Sequence, residues 1–177
     1  AYLSNTFRYT PIRLLALSVA NDLFFNNLSE NTNDFSKPSR FTSLSSLFIF
    51  FDTKYIDISA GILHTYTHDA TQNGEAAKEN NRFSPSASVS VKPILGEAFY
   101  IRAFYKDIFR LPTFNDLYYR LVGNINLNPE KTQQLSLGVA YSSSFSKTIK
   151  IEINADGYYN TVKDKIVAIP NKNLFVW

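Results

Sequence analysis

Apolar and polar residues alternate with a period of two along several segments of the chain. The alternation is clearest over residues 148–159, where Ile151, Ile153 and Ala155 share one face and Glu152 and Asn154 share the other. Residues 55–67, 86–92, 99–109 and 133–145 show the same pattern. Because successive side chains of a strand point to opposite faces, this pattern predicts strands with one apolar and one polar face.

The whole pattern predicts eight antiparallel strands, beginning with a short one near residues 3–10. Residues 41–51 fit either register. Short breaks near Pro11 and at residues 52–53, 93–96 and 146–147 alternate with long polar connections over residues 28–40, 68–82 and 110–131. One end of the predicted sheet therefore has tight turns, and the other end has long loops.

The predicted strands are long, at about ten to fourteen residues against the usual five or six. Long two-faced strands with alternating short and long connections are typical of an outer-membrane β-barrel, whose apolar face contacts lipid. Aromatic residues expected at the two interfaces of such a barrel lie toward the predicted strand ends: Phe25, Tyr66, Phe99, Phe109, Tyr141, Phe145 and Tyr159. A soluble β-sandwich, with the same faces packed on each other, is the alternative.

Composition narrows the class of protein further. The 177 residues fit a single domain, and 15 Phe and 11 Tyr in a chain with a net charge of +3 exclude a disordered or highly charged tail protein. The absence of cysteine excludes disulfides, thiolate zinc sites and cysteine nucleophiles. The longest apolar runs are too short for a membrane helix. Since the chain contains no methionine, we expect it to be a piece of a longer protein.

The sequence offers little sign of a catalytic or metal site. His64 and His68 are the only histidines, and on one strand they would lie about 13 Å apart, too far to share one metal ion. No zinc-protease, phosphate-loop or nucleophile-elbow motif is present. The charges are few and spread out, which a polar barrel interior explains better than nucleic-acid binding does. We therefore expect neither an enzyme nor a cofactor.

Two linked motifs carry a family resemblance. FRLPTFNDLYY at residues 109–119, followed by GNINLNPEKTQQLSLG at residues 123–138, resembles the TonB-dependent outer-membrane receptors. YYNTVKDKIVAIP at residues 158–170 also looks like a strand and loop of that family, whereas Ile125 and Asn126 depart mildly from its pattern. The matching positions are Arg110, Pro112, Leu117, Tyr118, Gly123, Asn124, Leu127, Pro129 and Glu130.

These motif residues also have a structural explanation. Pro112 suits the start of a short helix over residues 113–119, where Asn115 or Asp116 can accept hydrogen bonds from free backbone amides. Pro129 ends one segment just before the next strand. We therefore expect the motif residues to shape the loop more than to contact a ligand.

The resemblance implies an all-β fold, in which residues 1–177 form about eight consecutive strands of an antiparallel transmembrane barrel of about 22 strands. It further implies import of a scarce, large nutrient of the siderophore, haem or cobalamin type across the bacterial outer membrane. The expected partners are outer-membrane lipid, the nutrient ligand, and TonB acting through an N-terminal region absent from this chain, as is the plug domain. A porin-like or adhesin barrel and a soluble β-sandwich remain the alternatives.

Overall fold

The computed structural model describes residues 1–31, 35–94, 98–119, 123–144, 150–167, 169–171 and 174–176. Eight consecutive strands form one antiparallel sheet in the order of the chain. Their bounds are β1 (Tyr2–Ile12), β2 (Leu15–Asn27), β3 (Ser39–Asp52), β4 (Ile56–Ala70), β5 (Asn80–Val91), β6 (Ala98–Arg110), β7 (Glu130–Ser144) and β8 (Lys150–Lys163). The eight predicted antiparallel strands are confirmed.

Three elements lie outside this sheet. A short helix, α1 (Phe114–Tyr118), follows β6, and β9 (Ile169–Asn171) pairs with β10 (Leu174–Val176) in a separate two-stranded sheet. The sequence pattern did not predict β9 and β10, since three residues are too few to show an alternation. Within the described part of the chain, no helix is long and apolar enough to cross a membrane.

The predicted contrast between short and long connections holds at the described ends. Only residues 13–14 and 53–55 connect β1 to β2 and β3 to β4, whereas residues 111–129 connect β6 to β7. The first strand is longer than expected and continues through Pro11, with an irregular register between Tyr9 and Ile12. The break predicted at residues 146–147 and the aromatic side chain of Phe145 lie outside the described residues.

Strand register divides the side chains into two faces across the whole sheet. One row of directly paired residues crosses all eight strands and is entirely apolar or aromatic: Tyr9, Leu17, Ile49, Ala60, Ala87, Tyr105, Leu135 and Tyr159. The adjacent row, on the opposite face, is mostly polar or small: Arg8, Ser18, Phe48, Gly61, Ser86, Lys106, Gln134 and Asn160. We call the two sides the apolar face and the polar face.

The apolar face is not packed against other parts of the described chain. Phe7, Leu137 and Ile153 are 66%, 61% and 58% exposed. Among the residues that the structure describes, the buried hydrophobic ones are Ala16, Phe35, Leu117 and Tyr118. A β-sandwich would bury this face under a second sheet. In the described residues the eight-stranded sheet leaves this face uncovered, which agrees with a barrel and not with a sandwich.

Register also settles the ambiguous stretch at residues 41–51. Leu47 and Ile49 lie on the apolar face, and Phe48 and Phe50 lie on the polar face. Phe48 faces Gly61, where a side chain would collide with the phenyl ring, since an added Cβ would lie 2.6 Å from Phe48 Cγ. Glycine at this position thus makes room for a large aromatic residue on the polar face.

The ladder between β5 and β6 is shorter than its neighbours. These strands pair at six positions, from Ser86 with Lys106 to Val91 with Ile101, whereas β6 and β7 pair at thirteen. Pro85, which has no backbone N–H to donate, lies where the pairing stops. Beyond that point Arg82 Nη2 donates to both carboxylate oxygens of Asp107, each at 2.9 Å. A side-chain ion pair therefore replaces the backbone ladder at this end.

The two faces give a direct test by substitution. Ile153→Arg places a charge on the apolar face and should reduce the stability of the folded state in lipid vesicles by about 2 to 4 kcal/mol. Asn154→Arg, its neighbour on the polar face, should cost little. Chemical denaturation of both variants in vesicles measures the difference, and equal costs would contradict this assignment of faces.

Candidate functional site

The described parts of the β6–β7 connection, residues 111–119 and 123–129, fold over one end of the polar face. Its helix α1 covers Phe114–Tyr118, which confirms the helix predicted over residues 113–119. Thr113 is the N-cap: its hydroxyl accepts from Asp116 N at 3.2 Å, and the Asp116 carboxylate accepts from Thr113 N at 2.8 Å. The predicted capping by Asp116 is therefore correct, while the role of Thr113 was not foreseen.

An ion pair on the polar face holds the start of this loop. Arg40 and Asp69 are direct cross-strand partners in β3 and β4. Arg40 donates to the two Asp69 oxygens at 2.6 and 2.8 Å and, through Nη1, to the carbonyl oxygen of Pro112 at 2.8 Å. The guanidinium also lies 5.1 Å from the centre of the Phe114 ring. A bidentate pair of this kind sets both position and orientation.

Tyr118 joins the end of the helix to the same ion pair. Its hydroxyl donates to Asp69 Oδ2 at 3.0 Å and accepts from Ala77 N at 2.9 Å. The Asp69 side chain is only 3% exposed, so the carboxylate depends on these protein donors for its hydrogen bonds. The pKa of Tyr118 is raised to about 12, mainly by burial and also by the nearby Asp69 carboxylate. We call Arg40, Asp69, Ala77, Pro112 and Tyr118 the loop anchor.

The second motif forms a turn that packs against the helix. Gly123 N donates to Tyr119 O at 2.7 Å, and a Cβ at Gly123 would lie 2.6 Å from Tyr119 N. Asn124 donates from its backbone to Asp116 O at 2.9 Å, and its side-chain oxygen accepts from Asn126 N at 2.9 Å. Leu127 N closes the turn on Asn124 O at 3.2 Å. In the Gly-Asn-x-x-Leu pattern, Gly123 thus allows a close approach to the backbone of Tyr119, and Asn124 to Leu127 form the turn that follows.

A side-chain contact between the end of β6 and the start of β7 links the two ends of the loop. Arg110 and Glu130 are cross-strand partners, with Nη1 and Oε2 at 3.5 Å, and Glu130 Oε2 also accepts from Ile166 N at 3.4 Å. Strand β7 begins at Glu130, directly after Pro129, as expected. Leu117 is 2% exposed beneath the loop. Each motif position therefore has a structural role in the loop.

A small cavity lies beside the loop anchor. It measures about 120 Å³, and its walls combine charged, amide and apolar side chains, among them Arg40, Lys78, Glu79, Asn80, Leu117 and Asn126. The wall draws on the β4–β5 connection as well as on the β6–β7 loop. The two long connections therefore meet and form one continuous surface at this end of the sheet.

The two histidines lie in β4 and contact different polar side chains. His64 Nε2 lies 2.8 Å from Asn81 Oδ1 and the ring stacks on Phe83, while His68 Nδ1 lies 2.5 Å from Glu79 Oε1. In the described residues no group of three potential metal-ligating side chains occurs. Each histidine therefore has its own polar partner on β5 or on the connection before it.

Arg40, Asp69 and Ala77 were missed by sequence reasoning although they hold the loop in place. Arg40 lies near the start of one strand and Asp69 near the end of the next, and neither belongs to a local motif. Their pairing becomes visible only when the register of the β3–β4 hairpin is known. The turn at residues 53–55 is the signal that could have supplied this register.

Comparison with known families agrees with this architecture. The family model described as TonB dependent receptor-like, beta-barrel matches residues 3–176. The chain belongs to this family. TonB-dependent receptors are receptors and transporters rather than enzymes, and in general they lie in the outer membrane. No curated protein matches the chain.

Membership of the TonB-dependent receptors indicates which face of the sheet is the outer one and which is the inner one. The fold is an antiparallel, partial barrel of eight strands. In such a barrel the apolar face contacts lipid and the polar face lines the interior. The loop anchor therefore lies on the inner wall, at the end of the strands where the long connections meet.

Removing one hydroxyl tests the loop anchor. Tyr118→Phe leaves Ala77 N and the buried Asp69 each without one hydrogen-bond partner, so the docked loop should lose about 1 to 3 kcal/mol. Hydrogen exchange of residues 113–118 in the receptor should rise in this variant. Tyr119→Phe is the matched control, because Tyr119 is 58% exposed. Equal exchange in both variants would contradict the anchor.

The raised pKa of Tyr118 predicts a dependence on pH. The pKa of the Tyr118 phenol rises from 10.0 to about 12 when the loop docks. The shift therefore stabilises the docked loop to its full extent below pH 10, and this stabilisation is lost as the pH rises through 12. Protection of residues 113–118 should therefore decrease over this range in the wild type. Tyr118→Phe should lack this component of the pH dependence, whereas Tyr119→Phe should retain it.

Proposed function

We propose that residues 1–177 are a consecutive part of the barrel of an outer-membrane receptor that imports a scarce, large nutrient of the siderophore, haem or cobalamin type. In this proposal the plug domain and the TonB-contacting region belong to other parts of the receptor, and TonB supplies the force for import. Family membership supports the receptor class. The form of the two loop motifs supports the nutrient type.

The loop anchor is the observation that carries this proposal. It fastens the β6–β7 loop to the inner wall through Arg40, Asp69 and Tyr118, so the loop is held over the interior. A docked loop offers a preformed surface, and ordering such a surface before binding reduces the entropy lost when a ligand binds. We propose that the walls of the cavity beside the anchor contribute to the nutrient site.

Growth and uptake measurements test the proposal. A strain lacking the complete receptor should fail to take up one labelled nutrient among ferric siderophores, haem and cobalamin, and the wild-type receptor should restore uptake. Deleting TonB should abolish the same uptake. Arg40→Met should reduce the affinity for that nutrient, while Arg102→Met, further along the inner wall, serves as the control. Restored uptake that is independent of TonB would contradict the proposal.

Orientation is tested by labelling from outside the cell. The chain contains no cysteine, so Asn128→Cys and Lys54→Cys introduce single thiols at exposed positions near opposite ends of the sheet. Asn124 is less suitable, because its side chain holds the turn to Asn126. In intact cells an impermeant maleimide should label position 128 and not position 54. The reverse result would place the long loops on the periplasmic side.

A further inference from the structure

Basic and polar side chains border the apolar face where β7 and β8 continue beyond Leu135 and Tyr159. Arg82 reaches them from β5, where its register with Thr65 belongs to the polar face. A cavity of about 270 Å³ is lined by Arg82, Lys131, Gln133, Thr161 and Lys163. Along β7 and β8 the residues alternate without a break in register, so four of these five share a face with Leu135 and Tyr159. Gln133 and Thr161 are two residues beyond this apolar pair, a distance of about 7 Å along the strands.

The charges in this cluster are arranged for an anion. Lys131 and Lys163 are direct cross-strand partners, and like charges in that position repel each other unless an anion lies between them. In the described part of the chain neither lysine has a carboxylate within salt-bridge distance. Asp107 is neutralised by Arg82, and Asp164 and Lys165, which follow the strand, offset each other. The cavity therefore keeps a net positive charge.

Arg82 is held in a fixed position in the wall of the same cavity. Its Nη2 makes both contacts to Asp107, and its Nε is buried without an acceptor among the described residues. The guanidinium is held against the Phe109 ring, with 5.5 Å from Cζ to the ring centre. Gln133 donates to the Tyr105 hydroxyl at 3.3 Å, which orients the amide beside the lysines. Fixed cations around a cavity match the several acceptor oxygens of a phosphate group.

We propose that this cluster binds the phosphate group of a lipid in the outer leaflet of the membrane. The exposed side chains of Leu135 and Leu137 continue directly from the cluster along β7, so a lipid with its phosphate in the cavity would lay its acyl chains along them. A free phosphate ion would gain nothing from this apolar surface. The inference rests on the proposed function for one point, the outward orientation of the long loops.

Lipid binding to the purified, delipidated complete receptor tests the site. The probes are detergent micelles carrying a phosphorylated glycolipid, micelles carrying the same glycolipid after phosphatase treatment, and inorganic phosphate. The wild type should bind the phosphorylated lipid most tightly. Lys131→Gln combined with Lys163→Gln should weaken this binding by roughly tenfold or more, given the contribution of each basic residue near an anionic headgroup.

Two control variants accompany this measurement. Lys54→Gln combined with Lys92→Gln removes two lysines near the short-turn end and should leave binding unchanged. Lys131→Arg combined with Lys163→Arg keeps the charges and should retain binding, which would show that positive charge at these two positions is what the lipid phosphate requires. Because no nutrient is present, the measurement is independent of whether the receptor imports one.

Specific outcomes would overturn the inference. Equal binding of the dephosphorylated lipid would show that phosphate is not recognised. Inorganic phosphate binding as tightly as the lipid would identify a site for a free anion only. Wild-type affinity in the Gln double variant would show that these lysines do not form the site.

Discussion

Backbone hydrogen bonding governs everything else in this structure. Lipid provides no partner for a peptide N–H or C=O group, so strands that cross it must satisfy each other in continuous ladders. Here the ladders run from β1 to β8 without a change of order. Once the ladders are set, alternation assigns every strand side chain to one of the two faces of the sheet. The apolar row from Tyr9 to Tyr159 is the visible result of that single requirement.

Polar groups on the inner wall near the loops must be paired with other protein groups, because some of them are buried there. Asp69 is buried, and burying a carboxylate is costly unless it is paired and hydrogen-bonded. Arg40 and Tyr118 meet that requirement, and in doing so they connect two strands to a helix that is distant in sequence. The same interactions that keep a charge buried thus determine where the β6–β7 loop lies.

Local features of this protein were readable from the sequence, and distant pairings were not. The period-two pattern predicted the eight strands, and Pro112 and Asp116 predicted α1, because both signals depend on neighbouring residues. Arg40 with Asp69 and Arg82 with Asp107 depend on register and on a gap in a ladder, which involve residues 29 and 25 positions apart. The register of residues 41–51 stayed open for the same reason: aromatic residues on both faces hide the alternation.

The short ladder between β5 and β6 is a weak point in the hydrogen bonding of the barrel wall. With six paired positions, it is the boundary at which the rim can open with the least loss of backbone hydrogen bonds. Tyr118 crosses this boundary, because it belongs to the loop after β6 while its partners Asp69 and Ala77 lie before β5. The Tyr118 hydroxyl therefore connects the two sides of the short β5–β6 ladder. We expect this end of the barrel wall to deform less readily when the β6–β7 loop is docked.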